Sequence, residues 1–183
     1  MKNISPLTSN SALKPLVGIS GCLTGQKVRY DGHSKLSNFY DALSAHLSWL
    51  NFCPEVEAGL GVPRPPVQLV ETKQGTKALG VNDKSLDVTK QLLTVSQHFW
   101  GQHSALHSSS TKDSKNFICG YIFKSRSPSC GLGSTPLYDE SGNTNGLLTS
   151  GLFAQQALDH PHSLILAEET LLVSPENQAI FIS

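Results

Sequence analysis

Apolar residues along this chain fall into short runs separated by longer polar stretches. Leu16-Val17-Gly18-Ile19-Ser20 reads as a buried strand, and it runs straight into a Gly-flanked turn, Gly21-Cys22-Leu23-Thr24-Gly25. Leu36, Phe39, Tyr40, Leu43 and Leu47 follow helical spacing, so residues 36–47 are predicted as an amphipathic helix with Ser34 or Ser37 as its cap. Trp49 to Phe52 is a second short strand. It must stop near Pro54, which has no N–H to give a ladder. Residues 59–66 hold two Gly and three Pro and read as a structured loop.

Val67 to Val70 reads as a short strand and residues 71–84 as irregular or edge structure. Leu86, Val88, Leu92, Val95, Phe99 and Trp100 predict a helix over 86–106, weakened late by Gly101. Residues 108–116 are a polar linker, and 117–123 form the strongest strand of the chain. Residues 139–146 are turn-rich, 151–158 helical up to Pro161, and 163–167 and 171–173 late strands. Strands alternating with helices predict an α/β fold: one domain over residues 15–183, with a mainly parallel, Rossmann-like sheet and flanking helices. Residues 1–14 are polar and aperiodic, a flexible tail without the apolar core of a secretory signal.

Composition narrows the function classes. Charged residues are only 15% of the chain, against a usual ~25%, and 14 basic residues balance 14 acidic ones. Zero net charge argues against a protein that holds nucleic acid or a membrane surface by bulk charge. No apolar run reaches the length of a membrane span. A cytoplasmic location is expected, where four cysteines serve as ligands or nucleophiles rather than disulfides.

Three of the four share a context. Cys22, Cys53 and Cys130 each lie just beyond a predicted strand, in a Gly- or Pro-bearing loop, whereas Cys119 lies inside an apolar strand and reads as a small buried hydrophobe. In a parallel sheet the loops after the strands gather on one edge. The three arginines of the chain, Arg29, Arg64 and Arg126, each stand close to one loop cysteine, where positive charge favours thiolate. Three thiolates fit zinc with one further ligand, or an iron–sulfur cluster with one iron left open; scattered buried cysteines are the alternative. His103 and His107 are four apart but have no third ligand in the pattern. No phosphate loop and no nucleophile elbow is present.

Three longer segments carry a resemblance. Residues 19–25 with Val28-Arg29-Tyr30-Asp31-Gly32, residues 53–66 beginning Cys53-Pro54-Glu55, and Lys124-Ser125-Arg126-Ser127-Pro128-Ser129-Cys130-Gly131 resemble, in order, the three motifs of the thiouracil desulfidase family. Asp87-Val88-Thr89 and Gly151-Leu152-Phe153-Ala154 are weaker echoes, and Ala167-Glu168-Glu169-Thr170 partly matches the family's Pro/acidic stretch.

The resemblance implies an enzyme with a 4Fe–4S cluster on Cys22, Cys53 and Cys130. It implies hydrolytic, non-redox removal of sulfur from a thiolated pyrimidine, 2- or 4-thiouracil or its nucleoside, giving uracil and hydrosulfide. By motif position Glu55 is the catalytic acid/base and Ser127 the assisting hydroxyl. Tyr30, Lys124 and Arg126 stand where they would meet the base. A desulfidase of thiouridine in tRNA is the alternative within the family. A non-catalytic zinc or iron–sulfur module is the alternative outside it. With lysines spread along the chain and no run of them, a free small-molecule substrate is favoured over tRNA.

Overall fold

The computed structural model describes residues 14–103, 117–159 and 164–183. The expected tail (Lys14 apart), the 108–116 linker, His107 and Pro161 lie outside the described residues. Four parallel strands form the first sheet: β1 (Leu16–Ser20), β2 (Ser48–Phe52), β5 (Gly120–Phe123) and β8 (Ile165–Glu168), in the order β2-β1-β5-β8. The chain leaves β1 for one side and later returns to the other. The switch point of the sheet therefore lies between β1 and β5, where open α/β sheets place their ligands.

Alternation along these strands builds two cores. Val17, Ile19 and Ile122 face helix α1 (Tyr40–Ser44) and helix α5 (Pro175–Ile182), with Leu43 and Phe181 among the buried contacts. Tyr121 and Phe123 face the other way, onto Phe99 and Trp100 of α3 (Thr89–His103) and Phe153 of α4 (Leu152–Asp159). Gly18 lies beside Tyr121 in the ladder, and a Cβ there would stand 2.3 Å from the Tyr121 ring, so glycine makes room for the phenol.

Of the mixed second sheet, the sequence showed the strand at Val67 to Val70 and irregular or edge structure after it, but not the sheet itself. Two hairpins, β3 (Val67–Thr72) with β4 (Gly75–Gly80) and β6 (Thr135–Tyr138) with β7 (Thr144–Thr149), join through a parallel β3·β6 pairing in the order β4-β3-β6-β7. One hairpin belongs to the connection from β2 to β5 and the other to that from β5 to β8. Each follows a cysteine loop: β3 follows the short helix α2 (Pro54–Glu57), which starts just after Cys53, and β6 follows the Cys130 loop. Pairing Leu69 with Leu137 and Val70 with Tyr138 fixes the exits of those loops side by side. Leu69, Ala78 and Leu92 of α3 form the core beneath.

Other boundaries shifted for identifiable reasons. The predicted helix over 36–47 contracts to α1, because Leu36 is exposed and has no core to face. Residues 171–173 belong to a 3₁₀ turn (Glu169–Val173) instead of a strand, with Leu171 and Val173 exposed. Helix α5 was not anticipated, although Ser174 caps it by accepting from the Asn177 N–H and Pro175 occupies its first turn. Cys119 precedes β5 and is exposed, which corrects its reading as a buried strand residue; its amide and sulfur both reach Leu16 O, at the start of β1.

The start of α4 is seated on the Cys130 loop. The N–H groups of Gly151, Leu152, Phe153 and Ala154 donate to the carbonyls of Gly131, Pro128 and Ser129 at 2.7–3.1 Å. These are helix donors without intrahelical partners, and the loop supplies the acceptors. A Cβ on Gly151 would lie 2.4 Å from the Ser129 carbonyl, which is backbone and cannot swing away. Gly151→Ala is expected to cost about 1–3 kcal/mol by overpacking, read as a thermal midpoint lower by several degrees. An unchanged midpoint would show that this contact does not constrain the loop.

Candidate metal centre

The loops after β1, β2 and β5 converge at the carboxyl edge of the parallel sheet and enclose a cavity of about 380 Å³. Cys22, in a 3₁₀ turn, Cys53, just before α2, and Cys130 all line it. So do the expected catalytic side chains Glu55 and Ser127 and the expected contacts Tyr30, Lys124 and Arg126. Cys119 is absent from the lining. Among the described residues no three His, Cys, Asp or Glu side chains close on a point where a single metal ion would sit. A polynuclear cluster holds its cysteines on different metal atoms and does not require that convergence.

Glu55 is the hub of the second loop. Its Oε2 accepts from Arg64 Nε and pairs with Arg64 Nη2, both at 2.8 Å, and its Oε1 accepts from Ser129 Oγ at 2.9 Å. Arg64 Nη1 donates to Val28 O and Gly61 O at 3.0 Å, and the Arg64 amide donates to Tyr30 O. One buried ion pair thus ties together all three cysteine loops. A carboxylate offers about four acceptor sites, and these partners take three of them.

In the third loop the polar groups divide their duties. Ser127 Oγ accepts from the amides of Ser129 and Cys130, which shapes the turn at the cysteine and leaves its O–H as a donor. The Lys124 ammonium donates to Ser125 O, Ser125 Oγ and Glu169 Oε1. With three donors spent, Lys124 supplies charge to the cavity wall and not a hydrogen bond to a ligand. Arg126 differs: its guanidinium has no partner among the described residues, and its φ of 60° is a left-handed conformation that non-glycine residues rarely hold.

Sequence reasoning passed over the residues that impose this shape. Glu169 Oε2 accepts from the Ser125 amide at 2.6 Å; Glu168 Oε1 accepts from the Leu132 amide and from Ser134 Oγ, whose oxygen in turn accepts from the Arg126 amide at 2.7 Å. Two adjacent carboxylates at the end of β8 therefore brace both flanks of the loop. The acidic pair was visible in the sequence; nothing there showed what it would hold. Arg64 was noted only for its nearness to Cys53. The exposed Tyr30 ring lies at the rim beneath Arg29, whose guanidinium is 5.6 Å from its centroid.

Burial dominates the thiol chemistry. Cys22 is pushed up to about 11, by desolvation first and Cys53 second, against the opposing pull of Lys124 and Arg29. Burial likewise raises Cys53, partly offset by the Val56 amide, and lifts Cys130 well above the ordinary thiol range. The metal-free site is therefore a nest of neutral thiols, and a metal must displace protons to bind.

A model of the 2-thiouracil desulfurase family matches residues 17–169. The solved structure of the 4Fe–4S-dependent thiouracil desulfidase TudS is 32% identical to this chain, covering 91% of it and 97% of TudS, with a TM-score of 0.62. No curated protein sequence matches.

In the metal-free protein at about pH 8, iodoacetamide is expected to label exposed Cys119 ahead of buried Cys22 and Cys130. A thiol near 11 holds roughly a hundredth of the thiolate of an unperturbed one at that pH. Cys22 labelling should therefore keep climbing as the pH rises past 9. Peptide mass spectrometry reads the rates, and equal labelling of all four cysteines would contradict the buried, protonated site.

Proposed function

The chain belongs to the 2-thiouracil desulfurase family, and from that premise we propose that it is a 4Fe–4S-dependent thiouracil desulfidase, converting a thiolated pyrimidine and water to uracil and hydrosulfide without net redox change. The observation that carries this reading is the meeting of three cysteines from separate loops in one cavity that also holds the anchored Glu55 carboxylate. The donor set suits the cluster: three soft sulfurs from three loops line one cavity.

Bound by Cys22, Cys53 and Cys130, such a cluster supplies a Lewis-acidic iron for the soft thiocarbonyl sulfur of the base. The chain's own groups do the rest. Glu55, anchored through Arg64 and Ser129, accepts the proton of the water that attacks the ring carbon. Ser127 donates its free O–H to the base, and Arg126 brings unspent N–H donors to the pyrimidine's remaining oxygen. Tyr30 covers the opening with an aromatic face. Loss of the C–S bond and gain of a C–O bond leave hydrosulfide, with no electron donor or acceptor required.

The protein is read as cytoplasmic, where a reduced environment preserves thiols and cluster. No described helix is long and apolar enough to cross a membrane. A free thiolated base or its nucleoside is favoured over tRNA. The described lysines do gather at one place, a groove on the second sheet with Lys73, Lys77 and Lys84, but Asp87 and Glu140 stand among them. Lys77 pairs with Asp87 at 3.4 Å, and Lys84 donates to Glu140 O. Three lysines against two acidic residues leave that groove an excess of one positive charge, short of the several cations that phosphate binding draws on.

Anaerobic reconstitution tests the proposal. The protein should turn brown with about four irons and four sulfides, and release hydrosulfide and uracil from 2- or 4-thiouracil. Replacing Cys22, Cys53 or Cys130 by Ser should abolish the colour, and Cys119→Ser should not. Glu55→Gln should keep the cluster while turnover falls by ~10²–10⁴. It should also lower stability, because Arg64 is left buried without its counter-charge. A colourless zinc protein, or a coloured one that leaves thiouracil untouched, would end this reading.

Substrate size has its own test. Offered thiouracil and thiouridine-bearing tRNA together at low and moderate salt, the reconstituted enzyme should consume the small molecule first at both. A tRNA preference that fades with salt would reveal a phosphate-binding surface.

A further inference from the structure

Directly beneath the cysteines is a polar group that the fold does not use. Tyr121 sits in β5 with no solvent exposure, and its hydroxyl has no hydrogen-bond partner among the described residues. Its ring is held by Trp100, Phe123 and Phe153, at centroid distances of 5.5, 4.5 and 5.2 Å, and by the space that Gly18 leaves. The hydroxyl cannot swing to solvent, and the polar side chain beside it is the Ser20 hydroxyl, without a formed bond between them. Phenylalanine would fill the same space without an unpaired hydroxyl, and a buried unmet donor is a cost that folded proteins rarely carry.

The surroundings of the hydroxyl narrow its partner, since Tyr121 shares its buried cluster with Cys130. Its neighbours include the sulfurs of Cys130, Cys53 and Cys22, and the Ser20 hydroxyl, whose oxygen already accepts from the Lys124 amide at 3.0 Å. A phenol keeps its proton at neutral pH and so presents an O–H donor. A neutral thiol is a weak acceptor, and metal-bound thiolate or inorganic sulfide a far better one.

We propose that the Tyr121 hydroxyl donates a hydrogen bond to a sulfur of the bound cluster. This rests on the reading of the cavity as a 4Fe–4S site. Such a bond draws electron density off the sulfur, stabilises the bound cluster and makes its irons stronger Lewis acids. The donor is then unsatisfied only in the metal-free chain, and cluster binding supplies the acceptor that the fold omits.

Tyr121→Phe tests it, because the two states of the protein should respond in opposite directions. In the metal-free protein the variant should melt at the same temperature as the parent or higher, having lost an unpaired hydroxyl. In the reconstituted protein a chelator should strip the cluster about tenfold faster, the scale of a lost hydrogen bond to a charged acceptor. Resonance Raman should show the Fe–S bands shifting further in D₂O in the parent than in the variant, the amides at Cys53 contributing equally to both. An excess shift in the terminal bands assigns the acceptor to a cysteine, and one in the bridging bands to a sulfide. A parent that assembles a cluster but shifts no further in D₂O than the variant, or a variant that holds its cluster as long as the parent, overturns this inference alone. A parent that assembles no cluster overturns the proposed function and this inference with it.

Discussion

The ion pair between Glu55 and Arg64 is the contact on which the site's geometry depends. Both side chains are almost out of water, at 11% and 4% exposure, so each charge would be costly alone. Together they use nearly all their hydrogen-bonding capacity on the three loops: Val28 from the first, Gly61 from the second, Ser129 from the third. A buried pair of this kind adds little net stability compared with an apolar substitute. What it adds is specificity of arrangement, since only one mutual placement of the loops satisfies every donor. The same carboxylate that fixes the loops also lines the cavity with the cysteines, so assembling the cavity and orienting this carboxylate are one event.

Around that pair the remaining constraints act on loop exits. The β3·β6 pairing brings together chain segments that leave the second and third cysteine loops, although they lie far apart in sequence. The amide groups at the start of α4 and the carboxylates of Glu168 and Glu169 hold the third loop from two further sides. This loop carries the left-handed Arg126, and a strained backbone persists only where its surroundings overdetermine it. The bracing is dense around the residues that would meet substrate and cluster, as preorganised chemistry requires.

Charge at the cavity is balanced locally. Arg29 pairs with Asp31, Arg64 with Glu55 and Lys124 with Glu169, which leaves Arg126 as the lining cation without an acidic partner among the described residues. Buried neutral thiols make the empty site nearly uncharged, and three thiolates on a cluster make it anionic. Arg126 and the Tyr121 hydroxyl are the groups whose unmet capacity matches that change.

Much of this was legible in the chain itself. Short apolar runs that end at Gly21, Pro54 and the Lys124-to-Gly131 segment mark strands that stop abruptly, and a parallel sheet must collect such ends on one edge. That rule allowed Cys22, Cys53 and Cys130 to meet, because it concerns strand direction and not contact, and the family resemblance named them as one ligand set. It also explains the error at Cys119, which lay within an apolar run but falls just before β5 begins, at the opposite end of the sheet. The second sheet escaped notice because β6 and β7 are short and carry Pro136, Gly146 and exposed Leu147 and Leu148, so their alternation is weak until β3 supplies a partner. The clamp by Arg64, the brace by Glu168 and Glu169 and the unpaired Tyr121 hydroxyl were beyond reach for a shared reason. Local periodicity reports which face of an element is buried, but which distant donor meets which acceptor is decided only when separate loops are packed against one another.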